Sequence, residues 1–73
     1  MSVFGFDARG CKELRVIGYT LQGGKRTDIT AAVIEAEYSD GTTVEVTVDL
    51  EMNLGAFLAT VAAINKRLAD LNP

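Results

Sequence analysis

Seventy-three residues, 48 % of them hydrophobic, suffice for one small domain and are too apolar for an intrinsically disordered chain. The net charge of −3 argues against a basic surface for nucleic acid. A single cysteine and no histidine exclude an internal disulfide, a zinc site and a histidine-dependent catalytic centre. We therefore expect a non-enzymatic protein that needs no metal and no cofactor.

The chain shows no sign of membrane insertion or export. No run approaches the ~20 apolar residues of a membrane span, and the first residues lack the basic and apolar regions of a signal peptide. We expect a cytoplasmic protein. Because a small domain without disulfide or metal is often stabilised by a partner subunit, we also expect oligomerisation.

The N-terminal residues predict a short edge strand over residues 2–7, because Val3, Phe4 and Phe6 are apolar. A helix over residues 7–15 is the alternative, weakened by Gly10 in its middle. Cys11 is predicted to lie in a turn, where the adjacent Lys12 would favour the thiolate. A bystander thiol is the favoured interpretation.

Residues 13–21 predict a second strand with an irregular pattern, because Leu14 and Val16 belong to one face and the apolar residues after them to the other. Two arrangements fit this pattern: a bulge near Gly18 that returns the later residues to the first face, or a sheet covered on both faces. With regular alternation, four apolar residues form an outer patch suited to association: Ile17, Tyr19, Leu21 and Val33.

The glycine-rich stretch over residues 22–28 predicts an exposed loop. Gly18 and Gly23 have the spacing of P-loop glycines, but Gly24 stands where a lysine is required. No helix is predicted after the loop, so a solvated turn is favoured over phosphate binding.

The clearest local structure is a hairpin of strands at residues 30–38 and 42–50. A two-residue loop would mix glutamates into the apolar face, whereas a three-residue loop over residues 39–41 keeps that face apolar. It places Ala36 opposite Val44 and Ile34 opposite Val46. Gly41 supplies the left-handed residue that this loop requires.

The outward face of this hairpin predicts an acidic surface: Glu35, Glu37, Glu45 and Asp49. Glu35 would stand directly opposite Glu45, which costs stability unless a cation lies nearby. Binding of a hard cation, or service as acid and base, is the functional alternative. The favoured interpretation is a surface that is solvated or neutralised by Arg15, Lys12 or Arg9, or a rim that contacts a basic partner.

The last third of the chain predicts one amphipathic helix over residues 53–71, with Asn53 as its N-cap. Its covering stripe is Leu54, Phe57, Leu58, Val61, Ile64, Leu68 and Leu71. The opposite side carries no charge over residues 54–64 and is built of small residues, which suggests a second contact. We predict an interface through Gly55, Ala59, Ala62, Ala63 and Lys66.

Together these elements predict a single α+β domain over residues 1–73. It is a small antiparallel meander of three to four strands with one C-terminal helix packed across one face. We expect a protein–protein interaction module that forms a homodimer and binds another protein as an adaptor or inhibitor, of a type that phages encode. The alternative is a small-ligand binder with a pocket between sheet and helix, or at a dimer seam near Tyr19, Tyr38 and Arg26.

Overall fold

The computed structural model describes residues 2–24 and 26–71 and has the predicted α+β architecture. The main sheet is an antiparallel meander of three strands, followed by one helix across one of its faces. The described elements are β1 (Ser2–Val3), β2 (Phe6–Asp7), β3 (Cys11–Leu21), β4 (Asp28–Tyr38), β5 (Thr43–Asn53) and α1 (Leu54–Leu71). Within the sheet the order is β3-β4-β5, so β4 is central.

The hairpin between β4 and β5 has the predicted three-residue loop. The Tyr38 N–H donates to the Thr42 carbonyl at 2.8 Å, and Gly41 is left-handed with φ +89°. The Asp40 carboxylate accepts hydrogen bonds from the backbone N–H of Thr42 at 3.0 Å and from the side-chain hydroxyl of Thr42 at 2.7 Å. The predicted register is confirmed in three opposed pairs: Ala36 and Val44, Ile34 and Val46, Ala32 and Val48.

The N-terminal segment differs from the single edge strand predicted over residues 2–7. β1 and β2 form a tight hairpin of their own, turning at Phe4 and Gly5, which both have positive φ. Val3 is buried, and the Phe4 ring packs on that of Phe57 with centroids 5.4 Å apart. The turn follows from Gly5, which takes a left-handed conformation without strain. The alternative helix over residues 7–15 is wrong, because β3 begins at Cys11.

Cys11 does not lie in a turn, which corrects the prediction made from its neighbours. It is the first residue of β3 and is fully buried, with Sγ 3.4 Å from the Glu13 carbonyl oxygen. Burial raises the pKa of the thiol, because desolvation disfavours the thiolate. The thiolate that Lys12 was expected to favour is therefore disfavoured, and Cys11 is a small core residue.

The helix begins as predicted, because the Asn53 side-chain oxygen accepts from the Ala56 N–H at 3.1 Å. Its stripe on the sheet is narrower than predicted: Phe57, Val61 and Leu68 are buried, with Leu54 and Ile64 packed beside them. Leu58 and Leu71 are exposed. Leu58 is displaced around the helix from this stripe, and Leu71 is the last residue of α1.

Candidate functional site

The outer face of the sheet, away from the helix, holds a charge network centred on Arg15. Its guanidinium donates to Glu35 at 2.7 and 3.0 Å, to Glu37 at 3.0 Å and to Glu13 at 3.1 Å. These hydrogen bonds raise the pKa of Arg15, and those to Glu35 have the largest effect. Arg15, followed by the nearby Lys12, lowers the pKa of Glu37. Arg15 and Lys12 therefore neutralise Glu35 and Glu37, two of the four predicted carboxylates, whereas Arg9 pairs with Asp7.

The predicted acidic surface divides into two halves. Glu35 and Glu37 hold Arg15, and Glu45 stands opposite Glu35 as predicted. Among residues 2–24 and 26–71, neither Glu45 nor Asp49 has an ion pair. The same residues contain no group of carboxylates or other ligands close enough to hold a metal ion. Within the described ranges, the carboxylates of this surface that have no ion pair are thus the two on β5.

A bulge in β3 decides where its exposed apolar residues lie. The register shifts by one residue between Val16 and Gly18, which leaves Ile17 as the extra residue. Past the shift, Tyr19 pairs with Ala32 and therefore returns to the helix-facing side of the sheet. Leu21, paired with the buried Ile29, does the same. Ile17 keeps the outer face, so the predicted outer patch of four residues is split.

Asn65 ties the helix to the free edge of β3. Its side-chain oxygen accepts from the Leu14 N–H at 2.7 Å, and its amide donates to the Leu14 carbonyl at 2.9 Å. Both groups of Leu14 therefore point away from β4, and the amide of Asn65 replaces a neighbouring strand at this one residue. Asn65 was not predicted as a site residue, although its lone amide beside an apolar helical stripe is a signal in the sequence.

The position of Asn65 orients the helix over that edge. Residues three or four apart lie on one side of a helix, so a stripe in line with Asn65 also faces the β3 edge. We call this the edge stripe: Gly55, Leu58, Ala62, Asn65 and Ala69. It carries no charge, and every member except the half-buried Asn65 is exposed.

The edge stripe and the second half of β3 form one exposed apolar seam. Of the six large hydrophobic residues exposed in the described part of the chain, three lie here, namely Tyr19, Leu21 and Leu58, and Ile17 lies on the opposite face of the same strand. They are 43–50 % exposed. α1 begins beside Thr27 and reaches Leu14 at Asn65, so its first turns run past the β3 residues beyond the bulge. The seam therefore combines an open strand edge with an uncharged helix side.

The other predicted interface residues lie elsewhere on the helix. Ala59, Ala63 and Lys66 are exposed on its far side, away from the sheet. Gly55 has a role within the chain as well, because a Cβ there would lie 3.1 Å from the capping oxygen of Asn53. The glycine is thus no longer an argument for a partner by itself. Leu58 was predicted to pack on the sheet as part of the covering stripe, but it is exposed and belongs to the seam.

The glycine-rich loop closes the hairpin between β3 and β4. The Gln22 N–H donates to the Asp28 carbonyl at 2.8 Å, and a strand rather than a helix follows. Lys25 lies outside the described residues. Across residues 2–24 and 26–71 no pocket is found, either between sheet and helix or near Tyr19, Tyr38 and Arg26.

No family model, no curated protein and no solved structure matches this chain. In the part of the chain that the structure describes, no helix is both long and apolar enough to span a membrane.

Proposed function

We propose that this protein is a non-enzymatic interaction module that forms a homodimer through the seam and presents its remaining surface to another protein as an adaptor or inhibitor. The observation that supports the dimer is the grouping of three exposed large apolar residues, Tyr19, Leu21 and Leu58, beside one open edge. Exposed apolar groups of this kind often mark protein contacts.

The edge favours a second copy of the same chain because an antiparallel strand edge is complementary to itself. Leu14 directs its N–H and C=O away from β4, and strand alternation gives the same direction to Val16 and, past the bulge, Tyr19. Asn65 occupies Leu14, so the free edge begins at Val16. Two copies related by a two-fold axis pair these segments and join their sheets.

The same arrangement brings the two helices side by side. The edge stripe faces outward past β3, so each helix would meet its symmetry mate through Leu58 and the small residues Gly55 and Ala62. Small side chains allow close approach of the two backbones, and no charge is desolvated. Burial of apolar area contributes about 25 cal/mol per Å², so the leucine and the β3 side chains supply most of the association energy.

The mass in solution tests the dimer. Light scattering should give twice the protomer mass of 7.8 kDa for the unmodified protein. We expect Leu58→Glu to weaken dimerisation at least tenfold, because a charge would enter the helix contact. Leu58 is exposed in the protomer, so the melting curve of this variant should stay close to normal.

Ala63→Glu is the matched control, since it puts the same charge on the far side of the helix. Retained mass in Ala63→Glu together with loss of the dimer in Leu58→Glu supports the seam. If Ala59→Glu and Ala63→Glu split the dimer while Leu58→Glu leaves it intact, the far side of the helix is the interface. A mass of one protomer at millimolar concentration would refute dimerisation altogether.

A further inference from the structure

We propose that the open edge of β5 binds an extended basic segment of a partner protein by antiparallel strand addition. The site lies on the opposite edge of the sheet from the seam, so it does not depend on dimerisation.

The known direction of the Leu14 backbone groups on β3 shows which residues of β5 direct their N–H and C=O groups away from β4. Leu14, whose N–H and C=O bond Asn65, stands opposite Ala36. Ala36 therefore directs its own groups toward β5, where its partner is Val44. Alternation then leaves a row of outward N–H and C=O groups on Thr43, Glu45, Thr47 and Asp49. In the described residues no strand pairs with this side of β5.

The carboxylates along that edge would be balanced by basic residues of a partner. Across β4, Glu35 meets Arg15 on one side at 2.7 Å and meets Glu45 on the other. Glu45 and Asp49 have no ion pair within residues 2–24 and 26–71. A basic residue on an added strand would stand beside Glu45 as Arg15 stands beside Glu35. The edge would then repeat a pairing that the domain already uses.

The spacing of β5 residues defines the sequence that fits. Glu45 and Asp49 are four residues apart, so the partner needs basic residues at positions i and i+4. Its residues at i+1 and i+3 would stand opposite Val48 and Val46, on the helix-facing side, and should be apolar. A further apolar residue at i+5 would cover Val44, which is 49 % exposed.

Acidic residues on an edge strand also serve to prevent aggregation, and that role alone is the competing explanation. A peptide-binding experiment distinguishes partner binding from protection against aggregation. The probe is a nine-residue peptide with blocked termini that contains the sequence Arg-Val-Thr-Val-Arg-Val. Fluorescence anisotropy measures its binding. A scrambled peptide and one with glutamate for arginine are the controls. Measurement on both unmodified protein and Leu58→Glu keeps the result independent of the dimer.

We expect Glu45→Gln and Asp49→Asn each to weaken binding of the ordered peptide about two- to fivefold. Asp70→Asn removes the same charge from the helix and should leave binding unchanged. Thr47→Pro should reduce binding at least tenfold, because proline removes an outward donor while edge strands tolerate it.

Hydrogen exchange decides the question even if Thr47→Pro fails to fold. In the unmodified protein the peptide should protect the amides of Thr43, Glu45, Thr47 and Asp49. The alternate amides of β5 already bond β4 and should change little. Equal binding of the scrambled peptide, protection at other residues, or no binding at millimolar peptide would overturn the proposal and leave the acidic edge as a guard against aggregation.

Discussion

Replacing Asn65 by alanine tests whether one amide fastens the helix to the sheet edge. The substitution removes two hydrogen bonds, to the Leu14 N–H at 2.7 Å and to the Leu14 carbonyl at 2.9 Å. Leu14 itself is 1 % exposed, so its backbone groups are poorly placed to recover both bonds from water. The loss should therefore appear as a lower free energy of unfolding.

The magnitude follows from two opposing effects. Two side-chain hydrogen bonds to backbone contribute about 2 kcal/mol in total. Alanine is a better helix former than asparagine by about 0.5 kcal/mol, which offsets part of that loss. The net destabilisation is about 1.5 kcal/mol. In a domain of this size it lowers the melting temperature by about 6–12 °C.

Thermal unfolding followed by circular dichroism measures the effect, with Lys66→Ala on the exposed helix surface as the control. Asn65→Asp sharpens the test, because a carboxylate keeps the acceptor for the Leu14 N–H but cannot donate to the Leu14 carbonyl. Once protonated, the introduced carboxyl donates again. The folded state thus raises the pKa of the introduced carboxyl above the ordinary value of an aspartate. The melting temperature of the variant should therefore approach that of the unmodified protein as pH falls through this raised pKa.

Two outcomes would refute the reasoning. The first is an Asn65→Ala variant that melts within 2 °C of the unmodified protein. The second is an Asn65→Asp variant whose melting temperature stays equally far below that of the unmodified protein at neutral and acidic pH. Either result would mean that apolar packing of α1 alone holds the helix over β3.

Two further predictions concern the helix start and the Arg15 network. Asn53→Ala should cost about 1 kcal/mol of unfolding free energy in urea titrations, because the Ala56 N–H loses its cap; an unchanged midpoint would contradict the capping role. Arg15 lowers the pKa of Glu37 below its ordinary 4.5, so the ion pair stabilises the fold above that pH and its contribution disappears as pH falls through the lowered pKa. The melting temperatures of unmodified protein and Arg15→Gln should therefore converge below pH 4.5, and a constant gap down to pH 2 would argue against the ion pair.

Several features of the candidate surfaces were predictable because they depend on local pattern. The alternation of Val44, Val46 and Val48 allows one apolar face only with a three-residue loop, so the register of β4 and β5 followed from the chain alone. The same register placed Glu35 opposite Glu45. The exposure of Ala59 and Ala63 also followed from helical periodicity.

The seam was not predictable in the same way. A bulge at Ile17 moves Tyr19 from one face of the sheet to the other, and the sequence allowed both arrangements. Leu58 and Phe57 are adjacent and both apolar, so periodicity did not reveal that only Phe57 would be buried. The lateral position of the helix over β3 decides this.

The sequence by itself determined an α+β domain with a meander, the β4–β5 loop and a capped C-terminal helix, because period, turn residue and cap act within a few neighbouring residues. Only the tertiary structure decided that Cys11 is buried, that the N-terminal segment folds as its own hairpin and that Asn65 bonds the edge of β3. Those outcomes depend on contacts between residues as far apart as Leu14 and Asn65. No local pattern specifies which of two faces or edges a distant element will cover.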